Sequence, residues 1–442
     1  MATLKQRLSE LVPVWREEIA ALNKEHGNQV ISEVTISQAY GGMRGVKGMV
    51  CDTSDVPPDK GLIIRGIPIG ELTNKLPEEV FYLLITGELP DNKAFSDLQN
   101  DLQKRAKVPS YVWKTLKAMP KDSHPMVMFN AAILMMERES QFRRMYDQGM
   151  KKTDYWIPML EDSLNLIARL PAIGAGVYRM RFEKGARIPA KKGLDWAANY
   201  AHMLGIKDKT GEFPNLMRLN MVLHSDHESG NASAHACHCV GSTLSDAYYA
   251  VSAGLNGLAG PLHGLANQEC LNWVLMVYEK FKGIPEDHEL RLFAQDTLAA
   301  GKVIPGYGHA VLRITDPRFD TLRAFGQRVM PDDPIFQIVE KIFKVVPDVL
   351  KEQAKIKDPW PNVDAISGTL MYHYGLRELS YYTVLFSISR ALGMCAQLVV
   401  NRAIGSPIER PKSVTTAWLK KQIAQEVASG DPKGTTEPKP AV

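Results

Sequence analysis

Cysteine is scarce: there are five in 442 residues. Cys51, Cys237, Cys239, Cys270 and Cys395 make an odd, scattered set. That excludes a disulfide framework and reads as free thiols in a reducing compartment. A surplus of one charge is missing too. The 53 basic residues face 49 acidic ones, a net +4, so nothing electrostatic calls for nucleic acid, although a local basic pocket for a small anion stays open. The N-terminus "MATLKQRLSELVPVWREEIAALNKEHG" has no apolar signal core, and Glu10, Glu17 and Glu18 are unlike an acid-poor transit peptide. The expectation is a cytoplasmic, bacterial-type chain without transit peptide, with a processed mitochondrial matrix form, which would look the same, as the second reading. Strand patterns are few, internal repeats are absent and strands do not alternate with helices, which disfavours a Rossmann fold or a barrel. Only one apolar run, "YYTVLFSISRALGMCAQLVV" from Tyr381 to Val400, is long enough to span a bilayer, and Arg390 sits at its centre. A charge there is costly in lipid. The run is therefore read as a buried helix of a soluble protein, with no membrane partner, and its arginine needs something ionic.

What remains is ordinary globular composition, 45% hydrophobic and 23% charged, in a chain long enough for two domains or one large helical domain with an insert. Helical spacing dominates. Leu4, Leu8, Leu11, Val12 and Trp15 mark an amphipathic first helix. "LPEEVFYLLITGELP" has Pro77 near a helix start and Gly87 just past its end. The long apolar helix "YWIPMLEDSLNLIARLPAIGAGVYRM" contains Pro171, which predicts a kink or break. "NASAHACHCVGSTLSDAYYAVSAGLNGL", rich in Ala, Ser and Gly, suits close helix packing. The best strand candidate is Asn28 to Ser37, with "GLIIRG" as its possible pair. The tail from about Ser429 lacks apolar anchors and is expected to be mobile.

The densest cluster of metal-ligating residues is "HSDHESGNASAHACHC", from His224 to Cys239. It does not spell zinc. Cys237-His238-Cys239 lacks the usual Cys-x2-Cys spacing and a second pair. The metalloprotease pattern begun by His227 and Glu228 fails at Asn231. On a helix, Cys237 and Cys239 point to different faces, and no metal is expected. Three other residues sit on glycine- and proline-bounded turns: His263 in "LAGPLHGLANQE", His309 in "IPGYGHAVLRITDPRF" and Asp364 in "DPWPNVDAISG". Singly each is an ordinary turn residue. Together they suggest a site, though pattern alone names no reaction.

These segments resemble the citrate synthase family. "GLAGPLHGLANQE", "VIPGYGHAVLR", "TDPRF", "PWPNVDAISG", "ISRALG" and "PIERPKS" occur in the family's order, with His309 46 residues after His263 and Asp364 55 further on. "HSDHE", "SAH" and "GGMRG" fit as well, and the likeness runs from about residue 4 to about residue 427. It looks most like the homodimeric, eukaryotic-type branch. The resemblance implies a mainly α fold. A large domain would comprise residues 1–266 and 368–428, and a smaller helical one residues 267–367, with 429–442 as tail. It implies the first step of the tricarboxylic acid cycle: condensation of acetyl-CoA with oxaloacetate and hydrolysis of citryl-CoA, with no cofactor beyond the CoA thioester. Asp364 would be the base, His263 the donor to the enolising thioester oxygen and His309 the general acid. His227, Arg318, Arg390 and Arg410 would hold oxaloacetate, with Arg410 reaching across a homodimer interface. Arg44, Arg313, Lys357, Asn362 and, from the partner chain, Lys152 would hold CoA. Ser229 stands where the family has a second glycine, and serine is less free at positive φ. The same fold serves 2-methylcitrate synthases, which take propionyl-CoA, and one methylene discriminates by only about 1–3 kcal/mol.

Overall fold

The computed structural model describes residues 3–309, 311–353, 356 and 358–429. They fall into a first unit ending at Pro407 and a second beginning at Ile408. The expected boundaries after residues 266 and 367 both lie within the first unit. The tail expected from Ser429 lies, beyond Ser429 itself, outside the described residues. The second unit holds an irregular stretch followed by one helix, Thr416–Ser429.

The first unit is built around the helix Tyr382–Ile404, the apolar run of the sequence. All but three of its residues (Phe386, Asn401 and Ile404) are buried. It is long and apolar enough to cross a membrane, yet its most apolar stretch is 94% buried inside the protein. It packs against the helices Trp156–Arg181, Pro77–Thr86 and Ala247–Leu258. A helix apolar on every face belongs at a core's centre, and each Leu, Ile or Val it hides contributes about 1.5–3 kcal/mol. Two of its buried serines find backbone partners: Ser387 Oγ donates to Thr383 O (2.7 Å) and Ser389 Oγ to Met221 O (2.6 Å).

The structure departs from two local expectations, since the helix does not break at Pro171 and the strand at Asn28 to Ser37 does not form, for identifiable reasons. The helix Trp156–Arg181 runs unbroken through Pro171. Proline has no N–H for the carbonyl four residues back, but that carbonyl, Ile167 O, accepts the indole N–H of Trp196 at 3.0 Å. The orphan acceptor is filled from outside the helix. The strand expected over Asn28 to Ser37 is absent. Residues 28–34 are irregular with Val30, Ile31 and Val34 exposed, and Ile36–Tyr40 is a short helix. Thr35 and Gln38 close a reciprocal capping box at its start, a helix signal that overrides the alternation. The sheet instead joins β1 (Ser54–Asp55), β2 (Ile63–Ile64) and β3 (Ile67–Pro68) in antiparallel order. The "GLIIRG" segment supplies β2, with Ser54 opposite Ile64 and Ile64 opposite Ile67. The two-residue loop Arg65-Gly66, both at positive φ, has the favoured tight-hairpin geometry.

Candidate active site

Six of the sequence-selected residues converge in the first unit. His227 lies on the loop after the helix Phe213–Leu223, and His263 on the turn before the helix Ala266–Phe281. His309 precedes the helix Pro317–Val329, whose second residue is Arg318. Asp364 opens the helix Asp364–His373, and Arg390 is on the central helix. Two loops carry His309 and Asp364 to one place. Tyr307 bridges to Pro361, Gly308 N donates to Trp360 O (3.0 Å), and Asn362 N donates to Gly306 O (2.9 Å). Gly306 has φ +79°, and a Cβ there would lie 2.8 Å from Ala365 Cα. Only glycine lets this loop lie on the start of the Asp364 helix.

The histidine rings are held in defined tautomers. His309 Nδ1 accepts backbone N–H groups from Val311 (3.0 Å) and Leu312 (2.9 Å). Backbone donors cannot reverse, so a neutral ring carries its proton on Nε2. His263 Nε2 lies 3.3 Å from the N–H of Ser233 and 2.8 Å from its hydroxyl. With Nε2 accepting, the His263 proton sits on Nδ1. The His227 and His309 rings are 5.8 Å apart. Arg390, 2% exposed, is among the largest fully buried side chains of the described residues. Its Nε donates to His224 O (3.2 Å) and its Nη1 to Asn231 Oδ1 (3.3 Å), and its guanidinium lies 4.9 Å from the Phe386 ring centre. Arg318, also buried, is forked onto Asp316 through Nε (3.0 Å) and Nη2 (2.7 Å).

Burial and two cations set the protonation states. Burial lowers His263 and His309 to about 4, with Arg390 adding to the first and Arg318 to the second. His227 is pushed well below the ordinary histidine value by burial, Arg318 and Arg390. All three are neutral at physiological pH. Asp364 moves the other way. Burial raises it from 3.8 to about 6, against the pull of Arg318 and Arg390. Its place in the first turn of a helix also favours the anion, and burial wins.

The model of the citrate synthase C-terminal domain matches residues 42–412. The chain belongs to the citrate synthase family. It is 47% identical to mitochondrial citrate synthase 4 of Arabidopsis thaliana over 426 residues, 94% of this chain and 90% of that one. It is 46% identical to the mitochondrial citrate synthase of Saccharomyces cerevisiae over 431 residues, 95% of this chain and 90% of that one. Among solved structures, the Pyrobaculum aerophilum citrate synthase superposes with a TM-score of 0.75 at 26% identity, covering 88% of this chain and 95% of that one. The Thermoplasma acidophilum enzyme, solved with carboxymethyl coenzyme A and oxaloacetate, shares the fold with a TM-score of 0.73 at 24% identity, over 87% and 96% of the two chains. The chain is an acyltransferase-type enzyme with the mainly helical fold of its family. The expectation of a cytoplasmic, bacterial-type chain is overturned. The similar curated enzymes of plants and yeast are mitochondrial, at 46–47% identity over nearly the full length, which points to a mitochondrial eukaryotic form. The acidic N-terminal helix that suggested otherwise is part of the fold: Leu4, Leu8 and Val12 are buried against the first unit.

The remaining sequence-selected residues are differently placed. Arg313 donates through Nη1 to Val311 O (2.9 Å) and Leu312 O (2.6 Å). The Asn362 side chain bonds Gly308 O (3.1 Å) and the Asp364 N–H (3.0 Å), so it shapes the loop. Arg44 is exposed on the turn 41–45, and Lys152 is exposed on the short helix Lys152–Asp154. Arg410 is exposed in the second unit. Lys357 lies outside the described residues. The positive φ expected near Ser229 falls instead on Glu228, at 50°. The other histidines of the cluster have structural partners. His224 Nδ1 meets Asn220 O at 2.8 Å, and His238 sits between Gln397 and Asn401. Among the described residues no three His, Cys, Asp or Glu side chains are grouped to hold a metal.

Sequence reasoning missed Asn231, Ser233, Asp316 and Phe386. Asn231 caps the helix Ala232–Ser242, and its amide also donates to His227 O (2.7 Å), so one cap connects His227 with Arg390. An Asn before an apolar helical run is a readable cap signal. So is Asp316-Pro317. Nothing in the pattern marks Phe386 as the ring shared by His224, His263 and Arg390.

Proposed function

We propose that this site condenses acetyl-CoA with oxaloacetate and hydrolyses the citryl thioester to citrate and CoA. The observation that carries the reading is the pairing of two neutral, oppositely oriented imidazole donors with one carboxylate made more basic by burial. The methyl group of a thioester is a weak carbon acid. Asp364 removes its proton, and a carboxylate raised to about 6 is a stronger base than an exposed one while still largely ionised at pH 7. His263 Nδ1–H donates to the thioester oxygen as the enol forms; a neutral imidazole suits this task. The enol carbon attacks the ketone of oxaloacetate, and the His309 Nε2 proton passes to the ketone oxygen. Arg318, the cation that depresses His309, eases that loss. Water then replaces CoA at the thioester carbon and CoA leaves as the thiol, while the proton taken by Asp364 returns through solvent to His309. The steps balance without metal or redox cofactor.

His227, Arg318 and Arg390 hold oxaloacetate, and Arg410 completes the set from the other chain of a homodimer. Arg44, Arg313, Lys357, Asn362 and the partner's Lys152 are proposed for CoA. His309, Arg318 and Asp364 belong to residues 267–367, whereas His227, His263 and Arg390 do not. We take 267–367 as a lobe that closes on the rest to exclude water. Thiol release should require oxaloacetate, run faster with acetyl-CoA than with propionyl-CoA and survive chelation. Thiol release independent of oxaloacetate would overturn the reading, and a faster propionyl-CoA reaction would reassign the substrate.

A further inference from the structure

Beneath the site lies a buried polar cluster that no catalytic step uses. Asp226 is fully buried. Its Oδ2 accepts from Thr53 Oγ1 (2.6 Å) and Ser54 Oγ (2.8 Å), and its Oδ1 from Gln397 Nε2 (2.7 Å). Gln397 Nε2 also reaches Glu228 O (3.3 Å), its Oε1 faces His238 Nε2, and Ser54 Oγ accepts the Glu228 N–H (2.7 Å). His227 sits between Asp226 and Glu228, and Glu228 is a non-glycine residue at φ 50°, a conformation that persists only where its surroundings impose it. The same loop is tied to the central helix at three further points. Arg390 Nε donates to His224 O (3.2 Å), Gly393 N donates to Ser225 O (3.0 Å), and a Cβ at Gly393 would collide with Asp226 Oδ1 and Ser225 O. Positions 390, 393 and 397 share one face of the helix, by the i, i+3, i+7 rule.

We propose that Asp226 and Gln397 are positioning residues: a buried latch that holds the Glu228 turn and thereby fixes the His227 ring relative to Arg390. Asp226 touches no substrate in this scheme. The inference rests on His227 and Arg390 being substrate ligands. It explains why the helix that supplies Arg390 also carries a buried glutamine two turns later, and why a carboxylate sits where burial disfavours it. Displacement of a binding group by about 1 Å is enough to cost on the order of 100-fold in rate.

The test swaps donor and acceptor. Gln397→Glu sets two carboxylates face to face. It should raise the oxaloacetate KM at least tenfold and leave the acetyl-CoA KM, measured at saturating oxaloacetate, within twofold. Asp226→Asn combined with Gln397→Glu restores the pair with the polarity reversed: the amide introduced at position 226 donates to the carboxylate introduced at position 397, and its carbonyl accepts from Thr53 and Ser54. The introduced carboxylate cannot replace the Gln397 N–H at Glu228 O, so the double variant should recover only part of the loss, about threefold or more over Gln397→Glu. Gln397→Met, uncharged and of similar length, should show the same oxaloacetate-selective loss if the single Gln397→Glu variant does not fold. A purely structural role would lower the melting temperature of these variants without the split between the two KM values, and would overturn the latch. So would a double variant no better than Gln397→Glu. A wild-type chain with no oxaloacetate-dependent thiol release would overturn the functional reading instead.

Discussion

Asp364→Asn separates catalysis from stability because the two effects have opposite signs. As the general base, Asp364 is worth about 10²–10⁴-fold in rate, which is about 3–5 kcal/mol of barrier. Its carboxyl also opposes folding. Burial raises its pKa from 3.8 to about 6; at about 1.4 kcal/mol per pH unit, the ionised form costs the native state about 3 kcal/mol above pH 6. The sign follows from proton uptake. Between 3.8 and 6 the native state binds the proton more tightly than the unfolded chain, so this contribution falls as pH rises through the window and is flat above it. Asparagine does not titrate. The stability of Asp364→Asn relative to wild type should therefore improve from pH 5 to pH 8 by about half of that 3 kcal/mol. For a chain of this length that is about 1–2 °C in Tm. Calorimetric melts of both proteins across that range, with thiol-release rates on the same samples, measure both effects. A relative stability that is flat or falling with pH, or a rate within tenfold of wild type, would refute the reasoning.

Three more outcomes follow from the same site and core. The rate should fall about tenfold per pH unit below about 6, as Asp364 protonates, with no break near 6.5, because His263 and His309 titrate near 4; a pH–rate profile checks this. Those depressed histidines contribute stability that is complete above 6.5 and lost as pH falls toward 4, since the unfolded chain then takes up the protons. Trp196→Phe leaves Ile167 O without its indole donor beside Pro171 and should cost about 1–3 kcal/mol, read by denaturant unfolding.

The chemistry was legible where residues had to be particular. His263, His309 and Asp364 stand on Pro- and Gly-bounded turns because those backbones aim them, and Arg390 is conspicuous because an apolar helix has no other reason to carry a cation. The supporting contacts were not legible. Asn231 connects two site residues, His227 and Arg390, only after the chain brings positions 227, 231 and 390 together, and its local signal announces merely a helix cap. The continuity of the helix through Pro171 was not legible because the group that fills Ile167 O comes from Trp196, 29 residues on. The false strand at Asn28 to Ser37 came from weighting alternation above the Thr35–Gln38 capping box. Localisation was misread because acidic residues in a folded helix say nothing about targeting.

The last prediction concerns how many guanidinium groups one site needs. Oxaloacetate carries two carboxylates, and bidentate arginine is the strongest way to hold each. Within the first unit each candidate has part of its guanidinium committed to the protein. Arg318 gives Nε and Nη2 to Asp316. Arg390 gives Nε to His224 and Nη1 to Asn231. Arg318 keeps its Nη1–Nη2 edge and Arg390 keeps Nη2 for substrate, so a third arginine would complete bidentate binding of both carboxylates, and Arg410 from the other chain is the proposed source. Arg410→Ala should raise the oxaloacetate KM and lower kcat, because a charged hydrogen bond is lost. If Asp364 and Arg410 of one site come from different chains, a heterodimer of Asp364→Asn and Arg410→Ala has one site with both defects and one with neither. Co-refolding the two impaired proteins in equal amounts, with differently tagged chains to isolate the heterodimer, should then give about half the wild-type activity per dimer. A purified heterodimer no more active than its parents would show that Arg410 serves its own chain.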